Sequence, residues 1–143
     1  MEVWRAATST RRMLYRSLTQ EAMRIRRDNY AYLVHGLKRV PGVQVLDVSD
    51  ARTVGAVPYM VPFLLDQPAR QFNALQGLGV PMWRWEYSVR GRCDVTDWYA
   101  QALVQLPCHQ SLRLTDLDGI LERVDDVVGA TRRRPRAGDS RRA

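Results

Sequence analysis

With 143 residues, 45% of them hydrophobic and 26% charged, the chain has the size and composition of one globular domain. No stretch approaches the ~18 consecutive apolar residues of a membrane span, and the N-terminus lacks the basic-then-apolar order of a secretory leader. Two cysteines, Cys93 and Cys108, are too few and too far apart for a disulfide framework or a CxxC site. These features predict a cytoplasmic protein with reduced thiols.

The net charge of +7 is unevenly placed. Residues 1–39 hold nine Arg/Lys against three acids, 40–131 seven against eleven, and 132–143 six against one. The acidic middle argues against specific nucleic-acid recognition, leaving only a weak reading in which the arginine tail neutralises phosphates.

In chain order, residues 1–10 read as an N-terminal extension. From 11 to 39 nothing breaks a helix, and Leu14, Leu18, Ala22 and Ile25, continued by Tyr30, Leu33, Val34 and Leu37, keep helical spacing. This predicts one long N-terminal helix or two nearly collinear ones, with Thr8-Ser9-Thr10 offering caps and Pro41-Gly42 as the stop. Arg12, Arg16, Arg24, Arg26 and Arg27 should face solvent or an acidic partner. Residues 43–48 predict a first strand and 56–65 a second, with Pro58 and Pro62 restricting pairing in the latter. Residues 68–78 read as a short helix with Phe72, Leu75 and Leu78 inward.

Residues 82–89 alternate, placing Trp83, Trp85 and Tyr87 on one face of a third strand, where aromatics are more often core than ligand contacts. A short helix over 95–102, capped by Thr96 or Asp94, leads to a strand over 103–106 closed by Pro107. The last helix begins at Thr115-Asp116-Leu117-Asp118 and buries Leu117, Ile120, Leu121, Val124 and Val127 or Val128. Beyond Gly129 the arginine-rich chain has almost nothing to bury, and residues 131–143 are expected to be a disordered tail. The order predicts a single α+β domain over 11–130: a small, mostly antiparallel sheet with helices packed on one face.

Nothing in the sequence assembles a catalytic constellation or a phosphate-binding glycine loop. Cys108 and His109 are adjacent on an extended segment and so point to opposite faces. Asp116 and Asp118 are explained by a helix start, and Asp125 and Asp126 by a solvated face. No catalytic, cofactor-binding or metal-binding residue is assigned.

Five segments in order nevertheless resemble a known family. They are Arg24-Ile25-Arg26-Arg27-Asp28-Asn29-Tyr30-Ala31-Tyr32-Leu33; Val40-Pro41-Gly42-Val43; Val57-Pro58-Tyr59-Met60-Val61-Pro62-Phe63; the helix from Phe72 to Leu78 with Gly79-Val80-Pro81; and Leu106-Pro107-Cys108-His109-Gln110-Ser111-Leu112 before Asp116-Leu117-Asp118-Gly119-Ile120. Over residues 12–128 this resembles the C-terminal domain of the DegT/DnrJ/StrS aminotransferases, which make amino sugars on nucleotide-linked substrates. The resemblance implies pyridoxal phosphate in the complete enzyme, held by a lysine of a large N-terminal domain.

Here the only lysine is Lys38, outside any segment resembling that motif. The chain alone is therefore expected to bind no cofactor, to be inactive, and to need a large-domain partner chain or a second copy. The resemblance also implies that Trp83, Arg84 and Trp85 contact substrate in a complete enzyme. A reading from another class is a protein–protein interaction or dimerisation module without catalysis.

Overall fold

The computed structural model describes residues 19–47, 56–84 and 93–133. Its elements are α1 (Gln20–Leu37), β1 (Val43–Val45), β2 (Met60–Leu65), α2 (Pro68–Gly77), β3 (Trp83–Arg84), α3 (Asp94–Ala102), β4 (Leu103–Pro107) and α4 (Leu114–Arg133). The strands form one antiparallel sheet in the order β1-β2-β4-β3. This is the predicted α+β architecture with a long N-terminal helix.

Helix α1 starts at Gln20 because Thr19 is extended (ψ 152°) and its Oγ1 accepts the Ala22 N–H at 3.1 Å. That cap rules out an unbroken helix from residue 11; the expected caps at residues 8–10 lie outside the described residues. The buried stripe of α1 is Asn29, Tyr30, Leu33, Val34 and Leu37. After it the chain reverses through Gly42 at φ 100°, where a Cβ would come within 2.7 Å of the Asp66 carboxylate and 3.0 Å of Val128.

Strand β1 is shorter than predicted. Asp47 accepts hydrogen bonds from Tyr30 (3.5 Å) and Lys38 (2.6 Å), so the chain is drawn toward α1 just beyond the strand. Strand β2 begins at Met60, after Pro58, rather than at residue 56. Pro62 is tolerated because Leu46 N–H donates to its carbonyl, and the missing proline donor faces the end of β1 instead of β4.

Helix α2 has Pro68 in its first turn and buries Gln71, Phe72 and Leu75. Leu78, expected inward, is 50% exposed. It occupies the C-cap of a Schellman turn, in which Gly79 (φ 71°) donates to the Gln76 carbonyl and Val80 to that of Leu75, so Val80 and not Leu78 returns to the core. The N-cap position of helix α3 is Cys93 rather than Thr96 or Asp94, and its side chain makes no capping hydrogen bond. At the start of α4, the Asp116 carboxylate accepts the Arg113 N–H at 2.8 Å, half of a capping box.

The pleat divides the sheet into two unlike faces. Val61, Phe63, Leu65, Val104 and Leu106 meet α1, α2 and α4 through Leu33, Leu37, Phe72, Leu75, Leu117 and Val124. A smaller cluster, Leu64, Ala102 and Leu103 with Leu46, lies on the other face, where α3 joins β4. Helix α4 continues to Arg133, past the expected end near Gly129, because Thr131 is tied in on both sides. Its Oγ1 bonds to the carbonyls of Val127 (3.0 Å) and Val128 (2.9 Å) and accepts from Gln71 Nε2 at 2.9 Å.

Gln71 is fully buried, and its amide also donates to Asp66 (2.6 Å) and accepts the Gln67 N–H (2.9 Å). Replacing it by leucine strands these partners. Gln71→Leu is expected to lower unfolding stability by about 1–3 kcal/mol in urea titrations, with Thr131→Val adding less than its separate effect. A change within about 0.5 kcal/mol would show the network to be dispensable. At Gly42 the positive φ and the crowding act together, so Gly42→Ala should cost about 1–2 kcal/mol or more by the same measurement.

Candidate functional site

Strand register puts Trp83 opposite Gln105, Gln105 opposite Pro62, and Met60 opposite Pro107. With Leu46 beside Pro62, these side chains belong to the sheet face away from α1, α2 and α4. None of them is fully buried, and Trp83 is 49% exposed. A solvated sheet face is ordinarily polar; this one presents Leu46, Met60, Pro62, Trp83 and Pro107, with two amides, Gln44 and Gln105. Helix α3 extends the surface with Val95, Trp98 and Tyr99, all exposed. Trp83 is therefore not the core residue that its alternation favoured.

Arg84 points the other way. Its partner across β4 is Val104, a core-face residue, and its guanidinium carbon lies 3.7 Å from the centre of the Phe72 ring while Nη2 donates to the Pro68 carbonyl at 3.4 Å. Trp83 and Arg84 thus lie on opposite faces, and Trp85 is outside the described residues. Of the three expected substrate contacts, Trp83 is half exposed, while Arg84 fastens β3 to α2. Sequence reading passed over Leu46, Met60, Pro62 and Pro107 as members of this surface. The available signal was that these positions are apolar on the face a solvated strand would fill with polar groups.

The other candidates do not converge on it. Cys108 is a core residue whose thiol burial pushes up to about 11, a deprotonation far from neutral pH. His109 is exposed; its Nδ1 lies 2.8 Å from Ser111 Oγ and accepts the Ser111 N–H, a local turn contact two residues long. The exposed Cys93 thiol lies 3.1 Å from Thr96 Oγ1, and that hydroxyl holds it below its ordinary value. Among the described residues no cluster of His, Cys, Asp and Glu could hold a metal ion.

Lys38, the only amine side chain, has its Nζ 2.6 Å from Asp47 Oδ2 at the end of α1. Its side chain is about half exposed, and the described residues around it form no phosphate cradle, so among the described residues nothing fits pyridoxal phosphate.

The arginines of α1 are largely committed within the domain. Arg24 bridges Glu21 and Asp28, each at 2.7 Å; Arg26 donates to Gln110 at 2.6 Å, and Arg27 to the Ala56 carbonyl at 3.2 Å. Asn29 adds a bond to the His109 carbonyl at 2.9 Å. This face fastens loops more than it offers a track for phosphates. No described helix is long and apolar enough to cross a membrane.

Neither a protein-family model nor a curated protein matches the sequence. Solved structures do match the fold. They include the aminotransferase TlmJ from Streptoalloteichus hindustanus (22% identity, 85% of this chain and 35% of that one, TM-score 0.68). A DegT DnrJ EryC1 StrS aminotransferase from Brucella abortus is similar at 18% identity (82% and 34% of the chains, TM-score 0.64). DesV from S. venezuelae is similar at 13% identity (84% and 35%, TM-score 0.65). The chain spans about a third of the length of each. The fold of this chain is thus similar to that of about a third of each of these aminotransferases.

Proposed function

We propose that residues 11–130 act as the small domain of a pyridoxal-phosphate-dependent sugar aminotransferase in the cytoplasm, inactive alone and completed by a large domain that carries the cofactor lysine. The observation behind this reading is the partly exposed apolar sheet face around Trp83, on a fold that covers about a third of the length of its structural relatives. Such a face has a use when a second body covers it. In this reading Trp83, with the adjoining Arg84 and Trp85, forms the small-domain side of the substrate mouth. Trp83 supplies an aromatic wall, and Arg84 keeps β3 seated on Phe72.

Two measurements test it. The 143-residue chain mixed with pyridoxal phosphate should develop no new visible absorption band, and borohydride treatment should leave its mass unchanged. Reductive attachment of the cofactor to Lys38 would overturn the reading. Co-expressed with the large-domain segment of a DegT-type aminotransferase, the chain should co-elute with it. Trp83→Arg should abolish co-elution while changing unfolding stability by no more than about 0.5 kcal/mol, as for a surface position. Co-elution unaffected by Trp83→Arg would remove this face from the interface.

The same apolar face also supports a second reading, a dimerisation or interaction module without catalysis. Concentration-dependent self-association that Trp83→Arg abolishes would favour it; a monomer at all concentrations would count against it.

A further inference from the structure

The described side chains of the open sheet face fall into three rows across the strands. Leu64 belongs to the row at one end, Pro62, Gln105 and Trp83 to the middle row, and Met60 and Pro107 to the row at the other end. Helix α3 stands over the first row: Ala102 and Leu103 close on Leu64, and Trp98 lies at the same end, beside Gln44 and Leu64. Trp83 is 49% exposed, and Met60, Pro62, Gln105 and Pro107 are only partly buried. The face is therefore raised by α3 at one end and accessible along its middle and far rows.

The polar group in the middle row is the Gln105 amide, with Pro62 on one side and Trp83 on the other. A partner that excludes water from this row has to answer both the amide N–H and its carbonyl, since a buried polar group left unmatched is costly. Identical chains in a closed pair are related by a two-fold axis, and a side chain on that axis meets its own copy. A charged group there repels itself, whereas a primary amide both donates and accepts and so matches itself. Trp83 and Trp98, each near half exposed, with the smaller apolar side chains between them offer on the order of 500 Å² per copy, or about 1,000 Å² for a pair, which reaches the range of specific interfaces.

We infer that a second copy of this chain covers the face, about a two-fold axis along the middle row that sets Gln105 against Gln105 of the partner subunit. The axis crosses the strands, so it turns the second copy end for end and lays the α3 end of each over the end of the other that carries Met60 and Pro107. No described row of the face holds a charged side chain, so the net charge of +7 on each chain is not brought together at the contact. The inference rests on the self-association reading of this face and supplies its symmetry and its central contact.

The test places charges on the axis. In sedimentation equilibrium of the full-length chain, Gln105→Glu alone and Gln105→Lys alone should each weaken self-association at least about tenfold, because like charges then face each other. An equimolar mixture of the two variants should associate at least as tightly as the parent chain, which also shows that both fold. Weakening without recovery on mixing, with circular dichroism like that of the parent, overturns the two-fold geometry, and so does self-association that neither variant changes. A second measurement locates the axis independently in a Cys93→Ser chain, whose remaining Cys108 is buried. There a short bismaleimide should join Gln105→Cys to its own copy but not Gln44→Cys, which the axis holds about 13 Å from its copy along the strand direction. Equal joining at both positions, or at Gln44→Cys alone, overturns the proposal. A parent chain that is monomeric at every concentration ends it together with the self-association reading.

Discussion

The pairing of β2 with β4 is the contact on which the rest of the domain depends. It joins Phe63 to Val104 and Val61 to Leu106 across 40 and 44 residues of intervening chain, and both strands are central in the sheet. Every helix is then placed relative to it: α1, α2 and α4 close over the Val61, Phe63 and Leu65 side, while α3 runs directly into β4. Long-range pairing of this kind carries a loop-closure cost that only burial on formation can offset. Along β2 and β4 the core face is accordingly built from Val, Leu and Phe.

The alternation that builds the core also creates the second face. Once Val61, Phe63 and Leu65 point toward the helices, Met60, Pro62 and Leu64 must point away, and the register carries the division across to Gln105 and Trp83. Leu64 is buried by Ala102 and Leu103, while Gln44 beside it stays exposed. The remaining rows hold Leu46, Met60, Pro62, Trp83 and Pro107 with Gln105, an apolar set where a solvated face is ordinarily polar.

Much of this architecture was legible in the sequence because period and punctuation agreed: the buried stripe of α4, the Pro68 helix start and the strand before Pro107 each follow from local pattern. What was missed depended on contacts distant in sequence. Thr19 looks like an interior helical residue until its hydroxyl is seen to cap Ala22. Asp47 shortens β1 only because Tyr30 and Lys38 reach it from α1. Gly129 reads as a stop, yet Gln71 holds Thr131 sixty residues away. At the site, alternation correctly assigned Trp83 and Arg84 to opposite faces, but could not say which face the helices cover. An aromatic on an alternating strand defaults to core, and here the arginine is turned inward, its charge set against the Phe72 ring.

The disposition of charge narrows what can cover the open face. Along α1 the arginines are occupied by Glu21, Asp28, Gln110 and the Ala56 carbonyl, so the high net charge does not translate into a free basic surface there. The sheet face itself contributes no charged side chain from its described rows; acids stand at its margin in Asp66 and in the first turn of α3, Asp94 and Asp97. A partner seated on Leu46, Met60, Pro62 and Trp83 would therefore be selected by shape and apolar area, with affinity little affected by salt.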